Sequence, residues 1–245
     1  MASVRIVLTF DDGPHAGPLG GGNWTEKVLE ALKHKRAKAA FFVQTHVPYR
    51  LASPNGYKVA SLIHTEGHVL AIHTGSLEDH RCHKWRCTQP ADIAGAINGL
   101  DADMKRGKAA IKNIVGTEPK FVRATYGYTD ANCMKVYSAN KLKHVYWDLV
   151  GGDDSNDATS ASIRTQLITE TKALATGPIE LIYLLHDIRQ ATGEYLADFI
   201  DAIADSVRSN GHTPTFVADR VELESIMDRK SRPGTNNPCP PGSMG

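Results

Sequence analysis

The sequence has no excess of charge of either sign and no long hydrophobic run. Lys and Arg total 28 and Asp and Glu total 27 in 245 residues, a formal net charge of +1. This balance gives no electrostatic basis for binding nucleic acid or an anionic membrane. The longest apolar stretch, Ile179–Leu185, contains Glu180 and is far shorter than the ~18 residues of a spanning helix. We therefore expect no nucleic-acid partner and no membrane span.

Cysteine is also scarce, with four residues in the chain. Cys82 and Cys87 lie close together in a polar stretch, whereas Cys133 and Cys239 are isolated. This spacing fits four free thiols or one local disulfide bond, and it does not favour a zinc site built from cysteines. A chain of this length can bury enough apolar surface to fold without disulfide bonds.

The N-terminus lacks the pattern of a secretory leader, since residues 1–3 lead directly into the apolar run Val4–Phe10. The protein is therefore either cytosolic or a form from which a leader has been removed.

The chain does contain a regular alternation of β-branched apolar runs and amphipathic stretches. Strands are predicted at Val4–Phe10, Ala39–Val43, Val69–Ile72, Lys120–Arg123, Val145–Trp147, Ile179–Leu185 and Thr215–Val217. Helices are predicted from Asn23 onward and at Lys58–Glu66, Asp92–Val115, Met134–Asn140, Ala161–Ala175, Glu194–Asn210 and Val221–Met227. This alternation is typical of a parallel sheet. We predict an α/β fold, a distorted (β/α)7–8 barrel over residues 1–230, with the Pro/Gly-rich residues 231–245 as a tail or linker.

Acidic, imidazole and guanidinium side chains follow the predicted strands at the points where the strands end. They are Asp11 and Asp12, His73, Arg123, Asp148 and Asp153, and His186 and Asp187. Active sites of parallel barrels lie at the carboxyl ends of the strands, so these residues are expected at one rim.

The residue types at this rim suit metal-assisted hydrolysis of an amide or ester. Two imidazoles and one carboxylate bind Zn²⁺ and leave a position open for water, whose pKa the metal lowers toward ~7. A second carboxylate can act as base, an arginine beside it can orient it, and another histidine can protonate the leaving nitrogen.

Several motifs resemble those of the polysaccharide deacetylase family (carbohydrate esterase family 4, the NodB-homology domain). The most specific is Thr9-Phe10-Asp11-Asp12-Gly13-Pro14, which is similar to the signature opening of the family. Further matches follow in chain order at residues 38–43, Gly67-His68 with His73-Thr74, residues 121–127, Trp147-Asp148 with Asp153, and residues 184–187. The resemblance extends from residue 4 to about residue 227.

The resemblance implies a role for each matching residue. Asp11 would be the general base, Asp12 and His73 ligands of a divalent metal (Zn²⁺, Co²⁺ or another), and His186 the general acid. Arg123 would orient Asp11 and itself pair with Asp153. The backbone N–H of Tyr126 would stabilise the oxyanion, and Leu184 would line a pocket for the acetyl methyl group.

The metal motif departs from the family pattern, in which two histidines are four positions apart. After His73 the next histidine is His80, and at helical rise seven residues span ~10 Å against ~6 Å for four. A loop is therefore required here, which Gly75 favours. His80 is the first candidate for the third ligand, with His83 and Glu78 as alternatives and a missing ligand as the remaining possibility.

Two further departures lie in the arginine motif and in the motif around Asp153. Thr125 replaces a proline in the arginine motif, and Asp154 stands where the family has an aromatic residue after Asp153. An aromatic wall commonly stacks on a sugar face, and Trp85 is the first candidate to replace it, before Trp24 or Tyr126.

We therefore expect a metal-dependent N-deacetylase acting on an amino sugar, as in chitin oligosaccharides or peptidoglycan. A hydrolase of a small non-sugar amide and an inactive carbohydrate-binding relative are the alternatives. The family resemblance favours export, with a cytoplasmic location as the alternative, and leaves the oligomeric state open.

Overall fold

The protein is described here from a computed structural model, which covers residues 2–47, 50–74, 90–127 and 129–231. The eight strands are β1 (Ser3–Gly13), β2 (Ala39–Gln44), β3 (Val69–Thr74), β4 (Phe121–Val122), β5 (Lys143–His144), β6 (Leu149–Val150), β7 (Ile179–His186) and β8 (Thr213–Phe216). The helices are α1 (Trp24–His34), α2 (Pro54–Thr65), α3 (Pro90–Val115), α4 (Ala131–Ala139), α5 (Ser160–Leu174), α6 (Gln190–Ser209) and α7 (Arg220–Lys230). A short 3-10 turn spans Thr125–Gly127.

The strands form one parallel sheet in the order β5-β4-β3-β2-β1-β7-β6, with β8 also paired to β1. The sheet is curled into a half-barrel with helices around it, which confirms the predicted distorted (β/α) barrel. β1 is the central strand and pairs with β2, β7 and β8. All carboxyl ends of the strands therefore meet at one rim, next to the end of β1.

Two hydrophobic layers hold the sheet in place. One packs the outward face of β1 and β2, with Phe10 stacked on Phe41 at 5.0 Å between ring centroids, against the surrounding helices. The other fills the inside of the curl with Val7, Phe42 and Ile182 and closes against α7. Strands buried on both faces explain why β1 and β2 appear in the sequence as continuous apolar runs.

The predicted strand Val145–Trp147 is wrong. The structure has two short strands instead, β5 before this segment and β6 after it. The Val145 N–H donates to the Val122 carbonyl beside β4, and the Asp148 N–H donates to the Ile182 carbonyl in β7. The segment therefore crosses from one end of the sheet to the other, and it was predicted as one strand because its apolar residues are locally β-like.

Helix starts are set by capping residues that the periodicity did not locate. α2 begins at Pro54, earlier than the predicted Lys58, because Ser53 accepts a hydrogen bond from the Gly56 N–H and proline occupies the first turn. α6 begins at Gln190, before the predicted Glu194, although Arg189 at its N-terminus makes no side-chain cap hydrogen bond.

Within the described ranges, none of the helices is both long and apolar enough to cross a membrane.

Candidate active site at the carboxyl rim of the sheet

The two consecutive carboxylates at the end of β1 face the same side of the sheet because the backbone is irregular there. Successive residues of a strand normally face opposite sides of the sheet. Asp12 adopts a left-handed conformation with φ 67°, and the pairing with β2 shifts register between Asp11 and Gly13. This irregularity breaks the alternation, so that both carboxylates approach His73.

Asp11 is buried and held by an arginine from β4. The Arg123 Nη1 donates to Asp11 Oδ1 at 2.8 Å and to Thr9 Oγ1 at 2.8 Å. The Arg123 Nε donates to the Val145 carbonyl, and the whole guanidinium is inaccessible to solvent. A fully buried guanidinium that makes these hydrogen bonds fixes the direction in which the Asp11 carboxylate points. The orienting role that the resemblance implied for Arg123 stays a prediction, and these hydrogen bonds are the contacts through which it would act.

Asp12 and His73, which were expected to be metal ligands, face each other at the ends of β1 and β3. His73 Nδ1–H donates to the Arg123 carbonyl at 3.0 Å, which leaves Nε2 facing Asp12 Oδ1 at 3.3 Å. Gln44 Nε2 donates to the same Asp12 oxygen at 2.7 Å. Histidine ligands of metals usually donate their other ring N–H to a carbonyl or carboxylate, and ligating carboxylates usually accept a hydrogen bond as well. These residues therefore fit a divalent cation.

The electrostatics of this pair favour positive charge between the two residues. Burial alone raises the pKa of the Asp12 carboxyl, but the hydrogen bond and charge of His73, with the charge of His186, hold that pKa well below its usual range. Burial alone lowers the pKa of His73, yet the Asp11 and Asp12 carboxylates raise it above its ordinary value. A carboxylate oxygen and an imidazole nitrogen this close need a proton or a metal ion between them.

The expected third ligand, His80, lies outside the described residues, as do His83 and Glu78. Within the described ranges, no group of three His, Cys, Asp or Glu side chains is arranged to hold a metal ion.

His186 stands across the site at the end of β7, paired in register with Asp11. Its Nδ1–H donates to Asp153 Oδ1 at 2.8 Å, and its backbone N–H donates to Asp153 Oδ2 at 2.7 Å. Thr192 at the start of α6 donates to the same Oδ2 at 2.5 Å. Burial alone lowers the pKa of His186, but the Asp153 carboxylate outweighs it and raises the pKa to about 10. Nε2 is therefore the ring nitrogen left for a substrate.

The predicted pairing of Arg123 with Asp153 is wrong. Asp153 hydrogen-bonds His186 and Thr192, whereas Arg123 bonds Asp11 and Thr9. Asp153 follows β6, which pairs with β7, so it lies beside His186. Arg123 follows β4, which lies on the opposite side of β1, so it meets Asp11 instead. Sequence order did not reveal this arrangement.

The Arg123 segment ends in a tight turn at Tyr126. Tyr126 has a left-handed backbone with φ 56°, and its side chain is 54% exposed at the rim. Gly127 also has positive φ, and a Cβ on it would lie 2.6 Å from the Trp147 ring. A glycine is therefore required at 127 for the turn to pack on Trp147.

Leu184 lies two positions before His186 on β7, on the same face of the strand, and is buried. It is thus next to the site. Trp85, the candidate aromatic wall, lies outside the described residues. Of the cysteines, Cys133 is described, and it is a buried free thiol.

Two acidic residues that were expected at the rim have structural roles instead. Asp148 Oδ2 accepts the Ile182 N–H and pairs with Lys230 of α7. Asp187 turns away to Thr25, whose hydroxyl donates to its Oδ2 at 2.6 Å. A residue at a strand end is not sufficient to predict a side chain in the site.

Three polar residues of the site were given no role by the sequence, namely Thr9, Gln44 and Thr192. Thr9 and Gln44 had a usable signal, because each is a polar residue at or near the carboxyl end of a buried strand. Thr192 had none, since it contacts Asp153 from the first turn of a helix 39 positions further along the chain.

The fold and the site define a class of α/β protein, namely a parallel half-barrel with a carboxylate–arginine pair and a carboxylate–imidazole pair at its rim. The sequence profile of the polysaccharide deacetylase family matches residues 2–145. The chain therefore belongs to the polysaccharide deacetylase family, which confirms the resemblance found in the motifs.

Curated relatives carry related descriptions. The chain is 21% identical over 217 residues to a chitin deacetylase of Colletotrichum lindemuthianum, covering 87% of this chain and 78% of that protein. It is 29% identical over 194 residues to a peptidoglycan-N-acetylglucosamine deacetylase of Bacillus cereus, covering 74% of this chain and 59% of that protein. The chain thus spans less than two thirds of the length of some of the relatives it matches.

Solved structures share the fold. The structure of the Colletotrichum lindemuthianum chitin deacetylase superimposes with a TM-score of 0.66 at 21% identity, over 89% of each chain. A family 4 acetyl xylan esterase from Clostridium thermocellum, solved with a cobalt ion, superimposes with a TM-score of 0.63 at 21% identity, over 91% of each chain. At this level of identity the likeness concerns the fold.

Proposed function

We propose that this protein removes N-acetyl groups from an amino-sugar glycan by metal-assisted hydrolysis. The observation that carries the proposal is the separation of two catalytic groups across one rim. A carboxylate held by arginine ends β1, and an imidazole held by a carboxylate ends the neighbouring β7. Family membership and the descriptions of the relatives support a deacetylase.

Asp12 and His73 would hold the metal, with His80 as the proposed third ligand. A divalent cation, Zn²⁺ or Co²⁺, supplies Lewis acidity and makes water a stronger acid when it is bound. The Arg123 carbonyl keeps the His73 ring in the orientation that presents Nε2, and Gln44 keeps Asp12 Oδ1 facing it.

Asp11 acts as the general base. Its Oδ1 is occupied by Arg123, so that Oδ2, 3.9 Å from His73 Nδ1, remains to accept a proton from the attacking water. A general base contributes roughly 10²–10⁴-fold to a rate when it is well positioned. The buried ion pair with Arg123 supplies that positioning.

His186 acts as the general acid toward the leaving nitrogen. Because Asp153 raises its pKa to about 10, the imidazole carries a proton at neutral pH. The backbone N–H of Tyr126 donates to the developing oxyanion, and Leu184 contacts the acetyl methyl group. Acid and base on opposite sides of the scissile bond are what amide cleavage requires, since the amine leaves only when protonated.

The test is acetate release from N-acetylated chito-oligosaccharides by the purified protein, with and without a chelator. We expect release that a chelator abolishes, that added Zn²⁺ or Co²⁺ restores, and that Asp11→Asn reduces by about 10²–10⁴-fold. Asp148→Asn is the matched control, because Asp148 was also expected at the rim but bonds Ile182 and Lys230 away from the site.

Three results would count against the proposal. Chelator-sensitive binding of metal without acetate from any N-acetyl sugar would favour a small non-sugar amide as substrate. Neither metal binding nor turnover would favour a carbohydrate-binding relative. Equal loss in Asp11→Asn and Asp148→Asn would remove Asp11 from the role of base.

A further inference from the structure

The backbone of Ala124 connects two residues of the site that follow β4, Arg123 and Tyr126. Arg123 precedes it and orients Asp11, and Tyr126 follows it with the amide proposed for the oxyanion. The Ala124 carbonyl accepts the Gly127 N–H at 2.9 Å, which closes the 3-10 turn. The direction of the Tyr126 amide therefore depends on how the Ala124 peptide is held.

The Ala124 N–H is held by an imidazole rather than by a neighbouring strand. It donates to His144 Nε2 at 2.9 Å, and both residues are about 99% buried, with relative exposure of 1% each. β4 ends at Val122, so Ala124 lies beyond the strand pairing that would otherwise fix it.

The His144 ring is itself fixed by aromatic contacts. It stacks on Tyr137 of α4 with ring centroids 5.8 Å apart and an interplanar angle of 10°. Tyr146 meets it edge-on at 4.4 Å. A ring held on two sides can determine where its hydrogen-bonding partner lies.

We propose that His144 is a positioning residue of this enzyme, whose Nε2 sets the Ala124 peptide and thereby the Tyr126 amide that receives the oxyanion. The inference rests on the proposed function, because it concerns the same reaction. His144 does not touch the reacting atoms and acts through the Tyr126 amide. Because the oxyanion develops only as the reaction proceeds, a change at His144 is expected to alter the rate of the chemical step. A donor displaced from an oxyanion loses much of its value, since its stabilisation depends on short hydrogen-bond distances.

Substitution of His144 by Gln or by Asn distinguishes the effect of the hydrogen-bond acceptor from that of losing the imidazole ring. The oxygen of Gln reaches about as far as His Nε2, whereas the oxygen of Asn reaches only as far as Nδ1. We expect His144→Asn to lower kcat by about tenfold or more with KM within about twofold, and His144→Gln to restore kcat to within about threefold of the wild type.

His68 provides a control, because its imidazole also accepts a backbone N–H but lies at the amino ends of the strands, opposite the site. Its Nδ1 accepts the Ala39 N–H at 3.1 Å, and the ring is buried against Phe41. Here Asn retains the acceptor and Gln moves it, the reverse of position 144. We expect His68→Gln to lower the melting temperature about as much as His144→Asn and to leave kcat unchanged when assayed well below the melting transition.

An activity-independent readout separates this inference from the proposed function. In His144→Asn the amide of Ala124 should exchange hydrogen faster than in His144→Gln, and the NMR shift of the Tyr126 amide should move. A wild type without acetate release would defeat the proposed function and leave this measurement standing. Equal kcat in the Asn and Gln variants, a loss in His68→Gln as large as in His144→Asn, or an unmoved Tyr126 amide would each overturn the role of His144.

Discussion

Arg123 shows how single residues of this site are stabilised while buried. Its guanidinium lies over the Phe42 ring at 4.0 Å from the centroid, and its Nη1 meets both Asp11 and Thr9. Burying a charge is costly unless it is paired and hydrogen-bonded. Thr9 is the neutral member of this group, and its hydroxyl also donates to the Tyr183 carbonyl at 2.6 Å.

We expect Thr9→Val to destabilise the protein by about 1.5–3 kcal/mol, because hydrogen bonds to charged groups contribute about that much. Thr171→Val is the matched control. Thr171 is equally buried and bonds the neutral Tyr183 hydroxyl at 2.9 Å, so about 1 kcal/mol is expected. Urea denaturation measures both, and equal losses would show that the charge of Arg123 adds nothing at Thr9.

Asp187 is a second residue whose environment predicts a measurable effect. It is completely buried, and burial raises its pKa to about 7 although Thr25 donates to it. Its Oδ1 lies against Gly13, where a Cβ would come within 2.3 Å. Among the hydrogen bonds of the described residues, Oδ1 has no partner.

The sign of the pH effect follows from this raised pKa. Between the unfolded value of 3.8 and about 7, the folded protein keeps a proton on Asp187 that the unfolded chain has lost. Stability from this group is therefore present at low pH and falls as pH rises through that window, by about 1.4 kcal/mol per pH unit. We expect Asp187→Asn to gain about 2–4 kcal/mol relative to wild type between pH 4 and pH 8.

Chemical denaturation at several pH values measures this difference. Asp205→Asn is the control, since Asp205 is exposed on α6 and pairs with Arg208 at the surface. A wild-type minus Asp187→Asn difference that is flat across the window would show that Asp187 does not hold a proton in the folded state.

At the scale of elements, the start of α1 determines the shape of the loop that follows the Asp11–Asp12 turn. Asn23 is buried at this helix start and accepts the Glu26 N–H with its side chain. Its Nδ2 donates to the carbonyls of His15 and Gly17 at 2.7 and 2.9 Å. One side chain therefore caps the helix and closes the loop.

We expect Asn23→Ala to cost about 2–4 kcal/mol, since it removes a cap worth about 1 kcal/mol and two partly buried hydrogen bonds. The corresponding fall in melting temperature is about 5–10 °C for a chain of this size. Thr159→Ala, which removes the exposed cap of α5, should cost about 1 kcal/mol.

Asn23→Asp distinguishes the two functions of the side chain, because it keeps the capping oxygen and loses both donors. It should resemble Asn23→Ala. A melting temperature close to wild type in Asn23→Asp would show that loop closure by Nδ2 contributes little.

At the scale of the whole molecule, the curled sheet brings distant parts of the chain to one rim. β1 is central, so Asp11 lies between the ends of β7 and β2, and β3 with His73 lies beyond β2. The Asp12–His73, Asp11–Arg123 and His186–Asp153 pairs are thus held by one sheet. A ligand that binds at this rim would stabilise the folded protein.

We expect Zn²⁺ or Co²⁺ at a hundredfold excess over its dissociation constant to stabilise the protein by about 2.7 kcal/mol. This corresponds to a rise in melting temperature of about 5–10 °C. His73→Ala should abolish the shift, and His80→Ala should abolish it if His80 is the third ligand. A full shift in His80→Ala and none in His83→Ala would transfer that role to His83.

The fold could be predicted from the sequence more fully than the contacts within the candidate site. The alternation of strands and helices was predictable because apolar periodicity is local, and it predicted the ends of β2 and α3 to within two residues. The predicted strand Val145–Trp147 was wrong because pairing partners decide whether a short apolar segment is a strand. Whether residues 1–230 form one domain and residues 231–245 a tail stays a prediction.

The family and the residues at the strand ends follow from the amino-acid sequence alone, because the motif at residues 9–14 and the strand periodicity are properties of neighbouring positions. The partners of these residues depend on the folded arrangement, which pairs Asp153 with His186, Thr9 with Arg123 and His144 with the Ala124 N–H. They could not be predicted because a buried charge or amide bonds whichever group the curl of the sheet brings to it. That group can lie more than a hundred positions away, as Thr9 does from Arg123.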